Sequence, residues 1–286
     1  MKIDINTKMI TLLGKPLGQS FAARMQNAGS EAAGLNMLYF YTEVDKDHLG
    51  DVVNGLRYMN FAGFAVTKPN KVRVLRYLDE LDPLCKKMGA SNTVVKTPEG
   101  KLIGYNTDGV GFYTSLVEEG KINVEESTFF CFGAGGAGRA MCSVLAYHGA
   151  KKIYITDFYE PCAESLVMDI NENFAPVAEL VHHGDYAKIA ECNVVMNASG
   201  IGMGSTIGQT PMPVEHIQPG QFYFDACYNP DKTQFLLNAE EKGCQVLNGL
   251  GMSLYQGAAQ IELWTGEKAP VEAMRKELMD ILAESK

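Results

Sequence analysis

The 286-residue sequence carries no excess of positive charge: twenty-five Lys and Arg stand against thirty-four Asp and Glu, a formal charge of −9. Such a balance offers no general attraction to nucleic acid or to an anionic membrane. Neither is expected as a partner, and an anionic ligand must find local positive charge. Long apolar runs are missing as well. The longest stretch without a charged side chain, Cys192 to Val214, contains four Gly and two Pro among Asn, Gln, Ser and Thr, which reads as loop and not as a membrane span. The seven cysteines lie at least eleven residues apart, with no CxxC and no Cys/His ligand spacing, so neither a disulfide scaffold nor a metal is expected. The opening residues lack the apolar run of a secretory signal, and a cytoplasmic location is the expectation.

What is present fits a globular α/β protein. A hydrophobic fraction of 46% with 21% charged residues, over this length, suits about two domains. From Met9 onward, apolar runs of strand length alternate with longer amphipathic segments. Strands are expected at Ile10–Leu13, Met37–Val44 and Gly63–Thr67, with helices at Arg24–Ala33, Leu49–Tyr58 and Lys71–Leu81. Ser91 to Asn106 reads as two short strands around Pro98-Glu99-Gly100, a hairpin. The pattern restarts after a boundary between Gly109 and Lys121. Further strands are expected at Thr128–Phe132, Lys152–Thr156, Val194–Asn197, Phe222–Ala226 and Gln245–Leu247, with helices at Arg139–His148, Pro161–Ile170, Thr233–Lys242, Gly251–Trp264 and Val271–Ala283. Alternation of this kind implies βαβ units and largely parallel sheet.

Phe132 to Arg139 reads F-G-A-G-G-A-G-R between a strand and a helix, and Gly133, Gly135 and Gly138 satisfy G-x-G-x-x-G. Gly133 permits a tight turn, Gly135 lets backbone approach a pyrophosphate, and Gly138 lets helix pack on strand, leaving free N–H groups of a positive helix end toward the phosphates. Asp157 follows Gly133 by twenty-four residues at the end of the next strand, where its carboxylate can accept from the adenosine ribose hydroxyls. Phe158, Tyr159 and Glu160 supply no Arg or Lys for a 2′-phosphate, so the expected cofactor is NAD. Taken alone, such a turn also suits a flavin or S-adenosylmethionine, and Asp157 also suits a plain helix-start charge.

Further segments, in order along the chain, carry a resemblance. They are Gly14-Lys-Pro-Leu-Gly-Gln-Ser-Phe-Ala-Ala-Arg-Met-Gln-Asn27, Val66-Thr-Lys-Pro-Asn-Lys71, Gly89-Ala-Ser-Asn-Thr93 and Gly104-Tyr-Asn-Thr-Asp-Gly-Val-Gly111. Asn197-Ala-Ser-Gly-Ile-Gly-Met203, Tyr228-Asn-Pro230 with Thr233, Gly249 to Gln256, and Trp264-Thr-Gly266 follow. Together with Gly133-Ala-Gly-Gly-Ala137 they resemble the shikimate dehydrogenase family, especially its quinate/shikimate dehydrogenase branch. The resemblance implies an N-terminal mixed-sheet α/β substrate domain (residues 1–108 and 250–286), a Rossmann-like NAD-binding domain (109–249), and C-terminal helices returning to the substrate domain. The activity it implies is reversible hydride transfer at the C3 hydroxyl or ketone of shikimate or quinate.

It also implies roles. Lys71 and Asp108 match the catalytic positions, and an ammonium beside a carboxylate suits proton transfer to and from an alcohol. Ser20, Tyr39, Thr67, Asn92 and Gln256 join them as substrate-binding residues. Gly133, Ala134, Gly135, Gly136, Ala137, Asp157, Phe158, Ala226, Cys227, Tyr228, Asn229 and Gly249 are the cofactor-binding set. Read without the resemblance, Lys71 suits a solvated helix-start lysine, Asp108 a helix N-cap, and Ser20, Thr67, Asn92 and Tyr39 ordinary turn or strand positions. None of the five histidines lies in a matching segment, and His148 suits a cation at a helix C-terminus. Cys227 reads as packing and not as a nucleophile. The sequence departs from the family pattern at Gln19, Ala22 and Ala23, where a histidine, a serine and a proline are usual. That departure leaves two other readings open, an enzyme for a related cyclic hydroxy-acid and a non-catalytic protein sensing NAD or a cyclitol acid. Partners are expected to be a small hydroxy-acid, with a homodimer as the self-association compatible with the sequence.

Overall fold

The computed structural model describes residues 3–18 and 20–284. Residues up to Val110 together with Leu254 onward form one compact unit, and Gly111–Ser253 form a second. Gln19 lies outside the described residues.

The first unit is built on six strands: β1 (Lys8–Gly14), β2 (Met37–Glu43), β3 (Phe61–Val66), β4 (Glu80–Leu81), β5 (Thr93–Lys96) and β6 (Leu102–Tyr105). Their order is β2-β1-β3-β5-β6-β4. β1 pairs in parallel with β2 and β3, while β5 runs antiparallel to β3 and β6, so the sheet is mixed. On one face α2 (Leu49–Tyr58) buries Leu49, Val53 and Leu56, which recur at helical spacing. They join Leu13, Phe61, Phe64, Val66, Val94 and Leu102 in one cluster. α1 (Ala22–Ala32) packs elsewhere: a Cβ added at Gly29 would lie 2.8 Å from Met274 Cγ and 2.9 Å from Ile261 Cδ1, so only glycine lets this helix approach so closely. Gln26 of α1 donates to the Gly257 carbonyl and to Gln260, and Arg24 pairs with Glu277 and Glu284. The C-terminal helices therefore return to the first unit.

One expected element is replaced. Instead of a helix over Lys71–Leu81, Arg73–Tyr77 forms a short 3₁₀ helix, β4 pairs with β6, and α3 (Pro83–Met88) follows. Polar side chains break the longer helix. Asp79 accepts from Leu102 N at 2.7 Å, which fixes the chain against β6. Asp82 then caps a new helix by accepting from Leu84 N and Cys85 N, with Pro83 at its first position. The boundary expected between Gly109 and Lys121 also contains an unforeseen helix, α4 (Thr107–Glu118).

The second unit holds six parallel strands: β7 (Thr128–Phe132), β8 (Lys152–Thr156), β9 (Ala178–Leu180), β10 (Val194–Asn197), β11 (Phe222–Asp225) and β12 (Gln245–Asn248). Helices α5 (Gly136–Tyr147), α6 (Glu160–Asn173) and α7 (Gln234–Glu241) connect them, and α8 (Leu250–Thr265) and α9 (Val271–Glu284) complete the chain. β10 and β11 are buried at every residue, as strands covered on both faces must be. The order β9-β8-β7-β10-β11-β12 is the doubly wound arrangement of a Rossmann-like sheet. Its direction of winding reverses between β7 and β10, where ligands of such sheets bind beyond the strand ends. Among the described residues no helix is long and apolar enough to cross a membrane.

Candidate active site

In the first unit, β3 delivers the Thr67–Lys71 turn, the turn before β5 delivers Asn92, and the start of α4 delivers Thr107 and Asp108. Lys71 Nζ donates to Asp108 Oδ2 at 2.7 Å. The pair is half-buried, with side-chain exposures of 31% and 20%, so both charges are screened less than at the surface yet remain reachable by a ligand. Asn92 lies beneath. Its Nδ2 donates to Asp108 Oδ1 at 2.9 Å and to Thr107 Oγ1 at 3.0 Å, and its Oδ1 accepts from Thr107 N at 2.7 Å. Both amide hydrogens are thereby engaged on the protein, and one of them holds Asp108.

Gln256 on α8 reaches the same group, with Nε2 3.4 Å from Thr107 Oγ1. One turn later Gln260 donates to Thr93 Oγ1 at 2.9 Å, and Gln26 donates to Gln260 Oε1 at 2.9 Å. This buried amide ladder was not foreseen. Its only sequence signal was the spacing of four between Gln256 and Gln260 on one helix face.

Tyr39 is 2% exposed, its ring centroid 5.9 Å from that of Trp264, and burial pushes its hydroxyl well above the ordinary tyrosine range. Asn27 clasps the Tyr39 backbone at both N–H and carbonyl. Tyr41, two residues on and on the same strand face, was overlooked: its hydroxyl donates to the Ser20 carbonyl at 2.6 Å and accepts from Ala23 N at 3.0 Å. Thr67 donates its backbone N–H to Leu13, and its side chain stands against Gly14.

In the second unit, Gly133 follows β7 with a φ of 99°, and a Cβ there would lie 2.6 Å from Ser199 N across the reversal point of the sheet. A Cβ at Gly138 would meet the Gly133 carbonyl at 1.9 Å, whereas at Gly135 and Gly136 nothing lies within 4 Å. The loop is thus tight against its own sheet and open on its outer side. The first N–H groups of α5, on Gly136 and Ala137, lie in the first helical turn and have no carbonyl in a preceding turn to bond. Asp157 Oδ2 accepts from Ala134 N at 2.7 Å and Oδ1 from Tyr159 N at 2.9 Å. Gly133, Gly135, Asp157, Phe158, His183 and Ser199 line a cavity of about 290 Å³. The glycine cradle, the free helix N–H groups and the carboxylate at the next strand end fit a dinucleotide.

Beyond β11, Ala226 to Asn229 leave the sheet, and Gly249 closes over Ala226 so tightly that a Cβ would sit 2.1 Å from its carbonyl oxygen. Burial pushes the Cys227 thiol up to about 12, with Asp225 adding to the effect, so it is no thiolate at neutral pH. Burial also holds Tyr228 up at about 12. His148 corrects an expectation. Its ring stacks on Tyr113 with centroids 3.7 Å apart, and burial lowers its pKa below the ordinary imidazole value, outweighing the opposite pull of the Glu125 charge and favouring the neutral ring.

Residues 12–94 match the shikimate dehydrogenase substrate binding domain, and residues 249–279 match the shikimate 5′-dehydrogenase C-terminal domain. The curated shikimate dehydrogenase (NADP(+)) of Desulforamulus reducens is 40% identical over 281 residues, covering 97% of this chain and 96% of its own length. The chain belongs to the shikimate dehydrogenase family. As a shikimate dehydrogenase relative it is an oxidoreductase with a nicotinamide dinucleotide cofactor. A shikimate 5-dehydrogenase from Listeria monocytogenes, in complex with shikimate and NAD, superposes with a TM-score of 0.93 at 37% identity over 97% of this chain and 98% of that one. The quinate dehydrogenase of Corynebacterium glutamicum, in complex with NAD, does so with a TM-score of 0.90 at 28% identity over 96% of this chain and 99% of that one.

Proposed function

We propose that this shikimate dehydrogenase family member is NAD-dependent and transfers hydride reversibly at the C3 hydroxyl or ketone of shikimate or quinate, with the first unit holding the hydroxy-acid and the second the dinucleotide. The observation that carries the reading is the Lys71–Asp108 contact at 2.7 Å, braced from below by Asn92.

When bound, the dinucleotide accepts the hydride on oxidation and returns it on reduction. As the C3–H hydride departs, the hydroxyl proton passes to Lys71 Nζ, which takes it as the neutral amine, and the C3–O bond becomes a carbonyl; reduction starts from the ammonium and reverses both movements. Asp108 holds the ammonium so formed, and Asn92 holds Asp108. Ser20, Tyr39, Thr67 and Gln256 orient the ring hydroxyls and carboxylate, with Tyr41 fixing the Ser20 backbone.

NAD preference rests on Asp157. At ~4 Å a unit charge repels its like by about 1 kcal/mol in water and about 4 kcal/mol at a protein-surface dielectric, which is on the order of five- to a thousandfold against a 2′-phosphate. The nearby Arg139 is paired with Asp169. Ala22 and Ala23 favour a second reading, a related cyclic hydroxy-acid as the preferred substrate.

The test is turnover of shikimate, of quinate and of a panel of related hydroxy-acids by the wild type and by Lys71→Ala. Oxidation by the wild type, lost in Lys71→Ala while dinucleotide binding persists, is expected. A wild type that binds the dinucleotide and turns over nothing would make it a sensing protein.

A further inference from the structure

We propose that Asp225 is a positioning residue of the dinucleotide site, an inference that rests on the cofactor assignment above. Asp225 ends β11 and has no exposed surface. Its carboxylate is fully engaged. Thr233 Oγ1 donates to Oδ2 at 2.6 Å, Asn197 Nδ2 lies 3.1 Å from both oxygens, and Cys227 N donates to Oδ1 at 2.9 Å. Burial raises the carboxyl pKa, and hydrogen bonds from these three residues work against the rise.

Every one of these partners is a neutral donor, so the position requires a group that only accepts. Asn197 cannot turn its amide over, because its Oδ1 already accepts from Ser199 N at 3.1 Å and Ser199 Oγ at 2.6 Å, while its Nδ2 also donates to the Ile201 carbonyl at 2.9 Å. A neutral amide at 225 would aim an NH₂ group at further donors. An apolar side chain of similar volume at 225 would leave the buried donors of Thr233, Asn197 and Cys227 without an acceptor. The carboxylate does something such a residue cannot: it ties three separate segments to one point.

Those segments are the turn after β10, the strand exit after β11 and the start of α7. The first carries Ser199 and Ile201 of the nucleotide cavity, and the second carries Ala226 to Asn229. Both sit against glycines with no room to shift, Gly133 against Ser199 and Gly249 against Ala226. Loosening Asp225 therefore displaces cofactor-facing backbone while leaving Lys71, Asp108 and their partners untouched.

The test on the full-length protein is calorimetric titration with the dinucleotide alone, where Asp225→Asn is expected to bind about tenfold or more weakly than the wild type, together with steady-state kinetics in which the KM for dinucleotide and the KM for hydroxy-acid are measured separately. Asp225→Asn is expected to raise the dinucleotide KM roughly tenfold or more and to lower kcat, with the hydroxy-acid KM held within about twofold. Thr233→Val, which removes one donor and keeps the shape, is expected to shift the dinucleotide KM the same way, and Thr233→Ser, which restores the hydroxyl, to return it to the wild-type value. The Thr233 pair decides the matter if Asp225→Asn does not fold. A dinucleotide KM unchanged in Thr233→Val, or equal rises in both KM values, overturns the positioning role. Wild-type protein that neither binds nor uses a nicotinamide dinucleotide overturns the cofactor assignment instead, and the inference with it.

Discussion

Lys71 is the local cation that a chain of charge −9 needs in order to hold an acid. Removing it separates two roles. Lys71→Ala should lower kcat by at least about a hundredfold, the scale of a lost general acid–base, and leave dinucleotide affinity within about twofold. Rate and calorimetric binding measurements on the same preparation check it, and retained turnover would contradict the proton-transfer role. His148 offers a separate acid-side signature. Its folded-state pKa is lowered by burial, so as the pH falls through about 6.5 the unfolded chain takes the proton first and stability is lost. His148→Phe keeps a ring against Tyr113 and removes that term. Melting temperatures from pH 7.5 to 5.5 should fall less in the variant than in the wild type, and parallel curves would contradict the burial argument. Single residues were legible in proportion to how much local chemistry fixed them. Lys71 and Asp108 were found as members of matching segments. Asn92 was found too, but its hold on Asp108 depends on how β5 meets α4, which no local pattern encodes.

At the scale of elements, the glycine turn was readable because each glycine answers a backbone demand. Gly138 lies where a Cβ would meet the Gly133 carbonyl at 1.9 Å, and Gly136 where nothing lies within 4 Å. Gly138→Ala should therefore cost about 1 to 3 kcal/mol in urea unfolding without cofactor, while Gly136→Ala should be neutral or slightly stabilising. Equal losses in the two variants would contradict the packing account. Lys71–Leu81 was misread for an opposite reason. Its apolar spacing suits a helix, but Asp79 and Asp82 bond to backbone, so the segment ends as a short 3₁₀ helix and β4, and a separate helix, α3, starts after it. α4 was missed because it falls where the pattern restarts, and its N-terminus is fixed by Asn92, distant in sequence.

At the scale of the molecule, the α/β class, the largely parallel sheet and the return of the last helices were reached by two routes. Alternating strand and helix patterns gave the parallel sheet. The return of the chain to its first unit depends on contacts such as Gly29 with Met274 and Ile261, which are far apart in sequence, and only the family resemblance anticipated it. The same resemblance leads to relatives named for NADP(+), against which the chemistry at Asp157 stands. The most direct measurement is therefore the ratio of kcat/KM for NAD to that for NADP with shikimate, and again with quinate, at one pH and ionic strength. The account predicts a ratio of at least about tenfold in favour of NAD with whichever acid is turned over. A ratio favouring NADP would contradict it.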